Sequence, residues 1–224
     1  MKGKLIVLEG TDGSGKSTQF RRLCQRLEEM GKPFSRVVFP RYDQPSSALI
    51  RLYLDGAFGP APGDVNPYAA STFYAVDRFA SYRQDWGSWY EAGGLVLCDR
   101  YTTSNAVHQA SKLSGPDQDA FLQWLYHFEF DQLELPRPDL VLYLDMPTGQ
   151  SLSLLRSREA ATHTTADIHE QDLAYLRTCR EMGRYAADYY GWKRIRCVEN
   201  GALRSIEAIH EEIYALVAAC LEES

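Results

Sequence analysis

The chain has 224 residues, of which 45% are hydrophobic, 12% aromatic and 24% charged. Length and composition suit a chain that buries its own core, so disorder, a collagen-like fibre and a disulfide-stapled miniprotein are excluded. Twenty-four basic against 30 acidic residues give a formal net charge of −6, the wrong sign for a generic nucleic-acid coat. No apolar run approaches the roughly 20 residues of a membrane helix. Met1-Lys2-Gly3-Lys4 leads straight into a strand-length run, without the pattern of a signal peptide. Five scattered cysteines (Cys24, Cys98, Cys179, Cys197 and Cys220) contain no Cys-x-x-Cys pair. Free thiols in a reducing cytoplasm are expected, and no zinc site.

Short apolar runs alternate with longer helix-period segments. Leu5–Leu8, Phe34–Phe39, Leu95–Cys98, Leu140–Leu144 and Arg194–Val198 predict five strands. The intervals are too long for hairpins, and the runs are apolar at consecutive rather than alternate positions. Both features predict an α/β fold: a parallel sheet covered on both faces, in one domain spanning residues 1–224. Pro60, Pro62 and Gly63 predict a loop, and a second loop is predicted around Ala160–Ala166. In the last helix, Ile206, Ile209, Ile213, Leu216, Val217, Cys220 and Leu221 fall on one stripe and face the core.

The sharpest chemical signal follows the first strand. Gly10-Thr11-Asp12-Gly13-Ser14-Gly15-Lys16-Ser17 satisfies G-x-x-x-x-G-K-[ST], with Thr18 next in line. The strand ends at Glu9, and a helix begins near Lys16 with Phe20, Leu23, Cys24 and Leu27 on one face. Glycines let successive N–H groups curl around phosphate oxygens, and the helix N-terminus adds partial positive charge. Lys16 is expected on the β- and γ-phosphates of ATP, and the Ser17 hydroxyl on Mg²⁺. No Asn-Lys-x-Asp guanine-reading motif is present, so a second substrate site is needed to fix the reaction.

The third strand ends in Cys98-Asp99-Arg100-Tyr101. The C-terminal ends of parallel strands are where α/β sheets bind ligands. Asp99 is therefore a second candidate Mg²⁺ ligand and Arg100 a phosphate fork. Tyr74 and Arg78 stand four apart on a predicted helix and share a face, an aromatic plate beside a guanidinium.

Together with Asp99-Arg100-Tyr101-x-x-Ser104-Asn105 and His108-Gln109, these motifs resemble the thymidylate kinase family over nearly the whole chain. The resemblance implies a P-loop nucleoside monophosphate kinase fold, a three-layer sandwich with five parallel strands and a mobile lid, and usually a homodimer. It implies transfer of phosphate from ATP to dTMP with Mg²⁺. It places Asp12 near the sugar 3′-hydroxyl, Phe39 in the thymine pocket, Tyr74 on the base, Arg78 near the base and Arg100 on the dTMP phosphate. Asn105, His108 and Gln109 fall around sugar and base, and Arg41 near the phosphate.

The lid falls at roughly 158–170, with Asp167, His169 and Glu170 at its exit. Some family members carry an arginine in the P-loop, where this chain has Gly13. Subtraction leaves Arg156 and Arg158 at the lid entrance, with Arg158 favoured for the transferred phosphoryl and Arg156 for ATP. Lys16, Asp12, Arg100 and Arg158 are thus the expected catalytic set. The alternatives are a related deoxynucleotide or nucleoside kinase, and a nucleotide-binding regulator that performs no chemistry.

Overall fold

The computed structural model describes residues 2–162 and 173–222, and the side chains of these apart from 156–162 and 173. In chain order the elements are β1 (Lys4–Glu9), α1 (Lys16–Glu29), β2 (Phe34–Val38), α2 (Ala48–Leu54), α3 (Pro67–Ser81), α4 (Gly87–Glu91), β3 (Leu95–Asp99) and α5 (Thr102–His108). They continue with α6 (Pro116–Tyr126), β4 (Leu140–Asp145), α7 (Thr148–Thr162), α8 (Leu173–Tyr190), β5 (Lys193–Arg196), the short β6 (Val198–Glu199) and β7 (Ala202–Leu203), and α9 (Ile206–Glu222).

Five strands form one sheet in the order β2-β3-β1-β4-β5, all pairs parallel. The continuous apolar runs are explained by the two-residue alternation of a strand. Leu5 and Val7 of β1 join a core with α5, α6 and α8, whereas Ile6 and Leu8 join an opposite core with α1 and α9. Phe20, Leu23, Cys24 and Leu27 of α1 are all buried in that second core, as their spacing predicts.

Three details differ from the sequence reading. The fifth strand stops at Arg196, and Val198 pairs instead with Leu203 in a two-stranded antiparallel hairpin. Ile206 is 47% exposed, because the core stripe of α9 starts only at Ile209. Of the loop predicted around Ala160–Ala166, residues up to Thr162 belong to α7, and the rest lie outside the described residues. Leu152, Leu154 and Leu155 open a helix whose period the Thr- and Ala-rich stretch does not break: alanine is the best helix former.

The order places β1 and β3 side by side, with Leu8 opposite Asp99. The loop after β1 and the chain after β3 therefore leave the same edge of the sheet as neighbours. The remaining wall comes from α3, entered through Asn66, whose side chain accepts from the Ala69 N–H at 2.9 Å, with Pro67 at the first helical position.

Candidate active site

The loop after β1 is a backbone cradle. Gly13 and Gly15 take φ of 74° and 83°, where a Cβ is disfavoured. At Gly13 a side chain would also run into the Ser151 carbonyl of α7. The absence of a P-loop arginine thus has a packing reason: α7 lies on that position. Ser14 Oγ is buried with no hydrogen-bond partner among the described residues, as expected of a donor placed for a ligand oxygen. Residues 11–18 line this cradle together with Arg100, Leu154 and Leu155. Lys16 is buried and ion-paired with Asp99 at the end of β3. Burial first, then the nearby Arg100, pulls the Lys16 pKa below its usual value, against the attraction of Asp99.

Arg100 stands at the junction. Its φ of 67° is unusual for a residue with a side chain, and its N–H donates to the Leu8 carbonyl at 3.0 Å. Its guanidinium donates to Asp12 at 2.5 Å and to Ser104 at 3.2 Å, and lies 3.5 Å from Glu9. Burial alone would lower its pKa. Asp12, Glu9 and Asp99 reverse this, so Arg100 stays charged. It also meets His108 Nε2 at 3.3 Å. A guanidinium only donates, so Nε2 accepts and the ring proton sits on Nδ1, 3.5 Å from Cys179 Sγ. Cys179 is itself buried, which pushes its thiol up to about 12.

Beyond Arg100 opens a cleft. Asp12, Phe39, Tyr74, Arg78, Arg100 and Asn105 line it, joined by His108 and Gln109. Arg78 is 1% exposed and forks onto the fully buried Glu129, Nε to Oε2 at 2.7 Å and Nη2 to Oε1 at 2.5 Å. The side chain of Asn105 offers Oδ1 to Arg78 at 3.0 Å, which leaves its buried Nδ2 without a partner among the described residues. Gln109 Oε1 is likewise buried and unpartnered there.

One expected member lies elsewhere. Arg41 is not in the cleft wall: Asp77 receives its backbone N–H and its Nε, Asp85 its Nη1 at 2.5 Å, and Ser46 its Nη2. Two carboxylates turn it away, and the next residue, Tyr42, lines the cleft in its place. The backbones of Arg156 and Arg158 belong to α7, but their side chains lie outside the described residues, as do Asp167, His169 and Glu170.

Sequence reasoning also missed two buried acids. Glu9 accepts from the Gly10 N–H at 2.8 Å, from Thr103 at 2.6 Å and from Ser104 at 2.7 Å, so it stitches the cradle to α5. Its signal was a carboxylate closing an otherwise apolar strand. Glu129 follows Phe121 and Leu125 at four-residue steps, and both of these are fully buried. An acid on the buried stripe of a helix was the available clue.

A parallel sheet in this order, a P-loop and an arginine-lined cleft across the same sheet edge define a P-loop nucleotide-binding phosphotransferase. The thymidylate kinase family profile matches residues 8–213. A probable thymidylate kinase of Pyrococcus horikoshii is 31% identical over 218 residues, covering 97% of either chain. A thymidylate kinase of Pelotomaculum thermopropionicum is 32% identical over 171 residues, 76% of this chain and 75% of its own. The solved thymidylate kinase of Candida albicans superposes with a TM-score of 0.68 at 19% identity, covering 97% of this chain and 92% of that one, a likeness of fold. The chain belongs to the thymidylate kinase family.

Proposed function

We propose that this chain phosphorylates dTMP to dTDP, with ATP bound in the cradle and dTMP in the cleft. One observation carries the assignment of the two sites: Asp12 and Arg100 line both the cradle and the cleft. A donor phosphate on Lys16 and an acceptor phosphate on Arg100 would meet there, in line and largely shielded from water.

The base end supports a keto pyrimidine. Arg78 has five N–H donors, of which Glu129, Asn105 and the Tyr101 carbonyl engage four. Among the cleft's polar groups, the remaining Arg78 N–H and Asn105 Nδ2 donate and Gln109 Oε1 accepts. Thymine presents the complement, two carbonyl oxygens and one N–H. Cytosine would leave a buried donor facing its amino group, a penalty of about 1–3 kcal/mol. Tyr74 on α3 and Phe39 after β2 supply aromatic surface for the ring.

Catalysis needs no strong base, because the attacking oxygen of dTMP is already anionic. That oxygen bonds to the γ-phosphorus of ATP as the bond to the β-γ bridging oxygen breaks and ADP leaves. Arg100 must exchange Asp12 for the dTMP phosphate, which frees the Asp12 carboxylate for the sugar. Lys16 and the cradle N–H groups hold the donor phosphates. Arg156 and Arg158 are the candidates for the charge that Gly13 cannot supply. The exposed Ser17 hydroxyl and the Asp99 carboxylate are all-oxygen donors, a set suited to Mg²⁺ that keeps most of its ligands from phosphates and water. When bound, Mg²⁺ neutralises charge on the β- and γ-phosphates.

A homodimer is proposed through α3, where Val76 and Phe79 are 56% and 41% exposed. A second apolar stripe at helical spacing, Phe121, Trp124, Leu125 and Phe128, is a less open face, since Phe121 and Leu125 are fully buried within the chain and Trp124 and Phe128 half-buried. Light scattering at micromolar concentration should give twice the 25.4 kDa chain mass. A cytoplasmic enzyme fits these substrates, and no helix among the described residues is long and apolar enough to cross a membrane.

An ADP-release assay across dTMP, dUMP, dCMP and thymidine tests the activity. Turnover should be fastest with dTMP. ADP release that does not respond to any of the four would overturn the assignment in favour of a binding protein.

A further inference from the structure

Glu129 touches neither cleft nor cradle, yet it is fully buried and committed to one cleft residue. Its Oε1 and Oε2 take Nη2 and Nε of Arg78, and Oε2 also accepts from the Thr102 hydroxyl at 2.7 Å. This two-point fork fixes the plane and rotation of the guanidinium, not merely its charge. The consequence runs one residue further. Held there, Arg78 aims Nη2 at Asn105 at 3.0 Å, and because a guanidinium only donates, the Asn105 oxygen must face it. The Asn105 amide is nearly symmetric in shape, so its orientation is set by hydrogen bonding alone.

We infer that Glu129 is a positioning residue for base selection: through Arg78 it fixes the rotation of the Asn105 amide and so makes the cleft donate where a pyrimidine carbonyl arrives. The inference deepens the proposed dTMP reading and rests on it. Replacing Glu129 by Gln keeps the volume but turns one acceptor oxygen into an amide that donates against Arg78. The fork opens, Nη2 no longer holds Asn105 Oδ1, and the amide rotates freely. A rotated Asn105 offers an oxygen, which suits the exocyclic amino group of cytosine and repels the carbonyl of thymine.

The experiment measures kcat and KM for dTMP, dCMP and ATP in the wild type, in Glu129→Gln and in Thr102→Val, with circular dichroism and Tm for each. In Glu129→Gln the KM for dTMP should rise about tenfold. The dTMP:dCMP ratio of kcat/KM should fall at least about fivefold, while the KM for ATP stays within about twofold. A purely structural Glu129 would lower Tm and leave the ratio unchanged, which overturns the inference. Glu129→Gln strands a buried guanidinium charge and can fail to fold. In that case Thr102→Val, which removes only the hydroxyl donor to Oε2, decides. A ratio lowered about twofold or more supports the inference, and an unchanged ratio overturns it. A wild-type enzyme that does not prefer dTMP over dCMP overturns the keto-pyrimidine reading and this inference together. A selective wild type with an equally selective, folded Glu129→Gln overturns this inference alone.

Discussion

The phosphate cradle and the monophosphate cleft share Arg100 but are built in opposite ways. The cradle is one continuous stretch whose ligands are mainly backbone N–H groups, aimed by glycine conformations and by the start of α1. The cleft draws its walls from the loops after β1 and β2, from α2 and α3, and from the segment that follows β3. Its working groups are side chains. Two of them are arginines, and each is oriented by carboxylates: Arg78 by the buried Glu129, Arg100 by the buried Glu9 and the half-buried Asp12. Backbone donors need no counter-charge to hold their direction. A long side chain with free torsions does, and a carboxylate fork supplies it at the cost of desolvating both ions.

The contrast predicts how the two halves fail. The largest effect is expected in the cradle, where Lys16→Ala removes the P-loop cation from the donor phosphates. Turnover should fall by about a thousandfold or more, roughly 4 kcal/mol of barrier, in protein whose circular dichroism shows it folded. Loss below tenfold would mean that the backbone cradle suffices by itself.

Arg100→Ala breaks the junction from the cleft side. KM for dTMP should rise by about a hundredfold, roughly 2.7 kcal/mol, while KM for ATP moves less than about threefold. Equal shifts for both substrates would show that Arg100 serves the cradle as much as the cleft.

A third, smaller loss is expected at the edge of the cradle. Arg158→Ala should lower kcat about tenfold, roughly 1.4 kcal/mol, with both KM values nearly unchanged, the sign of a contact made mainly in the transition state. The same change at Arg156 serves as its comparison. If neither variant loses tenfold, the lid-entrance arginines are solvated charges.

The smallest effect sharpens the role of counter-charge. Lys112 is another half-buried cation, but it donates to neutral oxygens, Tyr53 Oη and the Val65 carbonyl, each at 2.9 Å. Burial lowers its pKa from 10.5 to about 8. Between those values the unfolded chain holds a proton that the native chain has lost, so stability rises with pH across that window. Below about 8 both states are charged, and burying the ammonium costs stability. Relative to Lys112→Met, the wild-type Tm should therefore climb between about pH 8 and 10.5. A flat difference would show that the two oxygens solvate the ammonium as well as water does.

Much of this molecule was legible in the chain alone because the physics is local. Four of the five strands kept within a residue or so of their apolar runs. Gly10 to Thr18 announced a phosphate cradle, since its chemistry is backbone geometry that contiguous residues dictate. Tyr74 and Arg78 share a helix face because the α-helix repeats every 3.6 residues. The spacing of Phe121, Trp124, Leu125 and Phe128 fits a helix but does not say which neighbour covers it. Burial of Phe121 and Leu125 within the same chain is decided by packing of α6 against the sheet.

The remainder was settled by contacts between segments far apart in sequence. Arg41 follows Phe39-Pro40 closely enough to have been placed in the cleft, but Asp77 lies 36 residues away and draws it out. Glu129 meets Arg78 across 51 residues, and Glu9 meets Ser104 across 95. Side-chain electrostatics acts over a few ångströms of space whatever the separation along the chain. Which charge pairs with which therefore waits on the sheet order that brings β1, β3 and the helices beside them together.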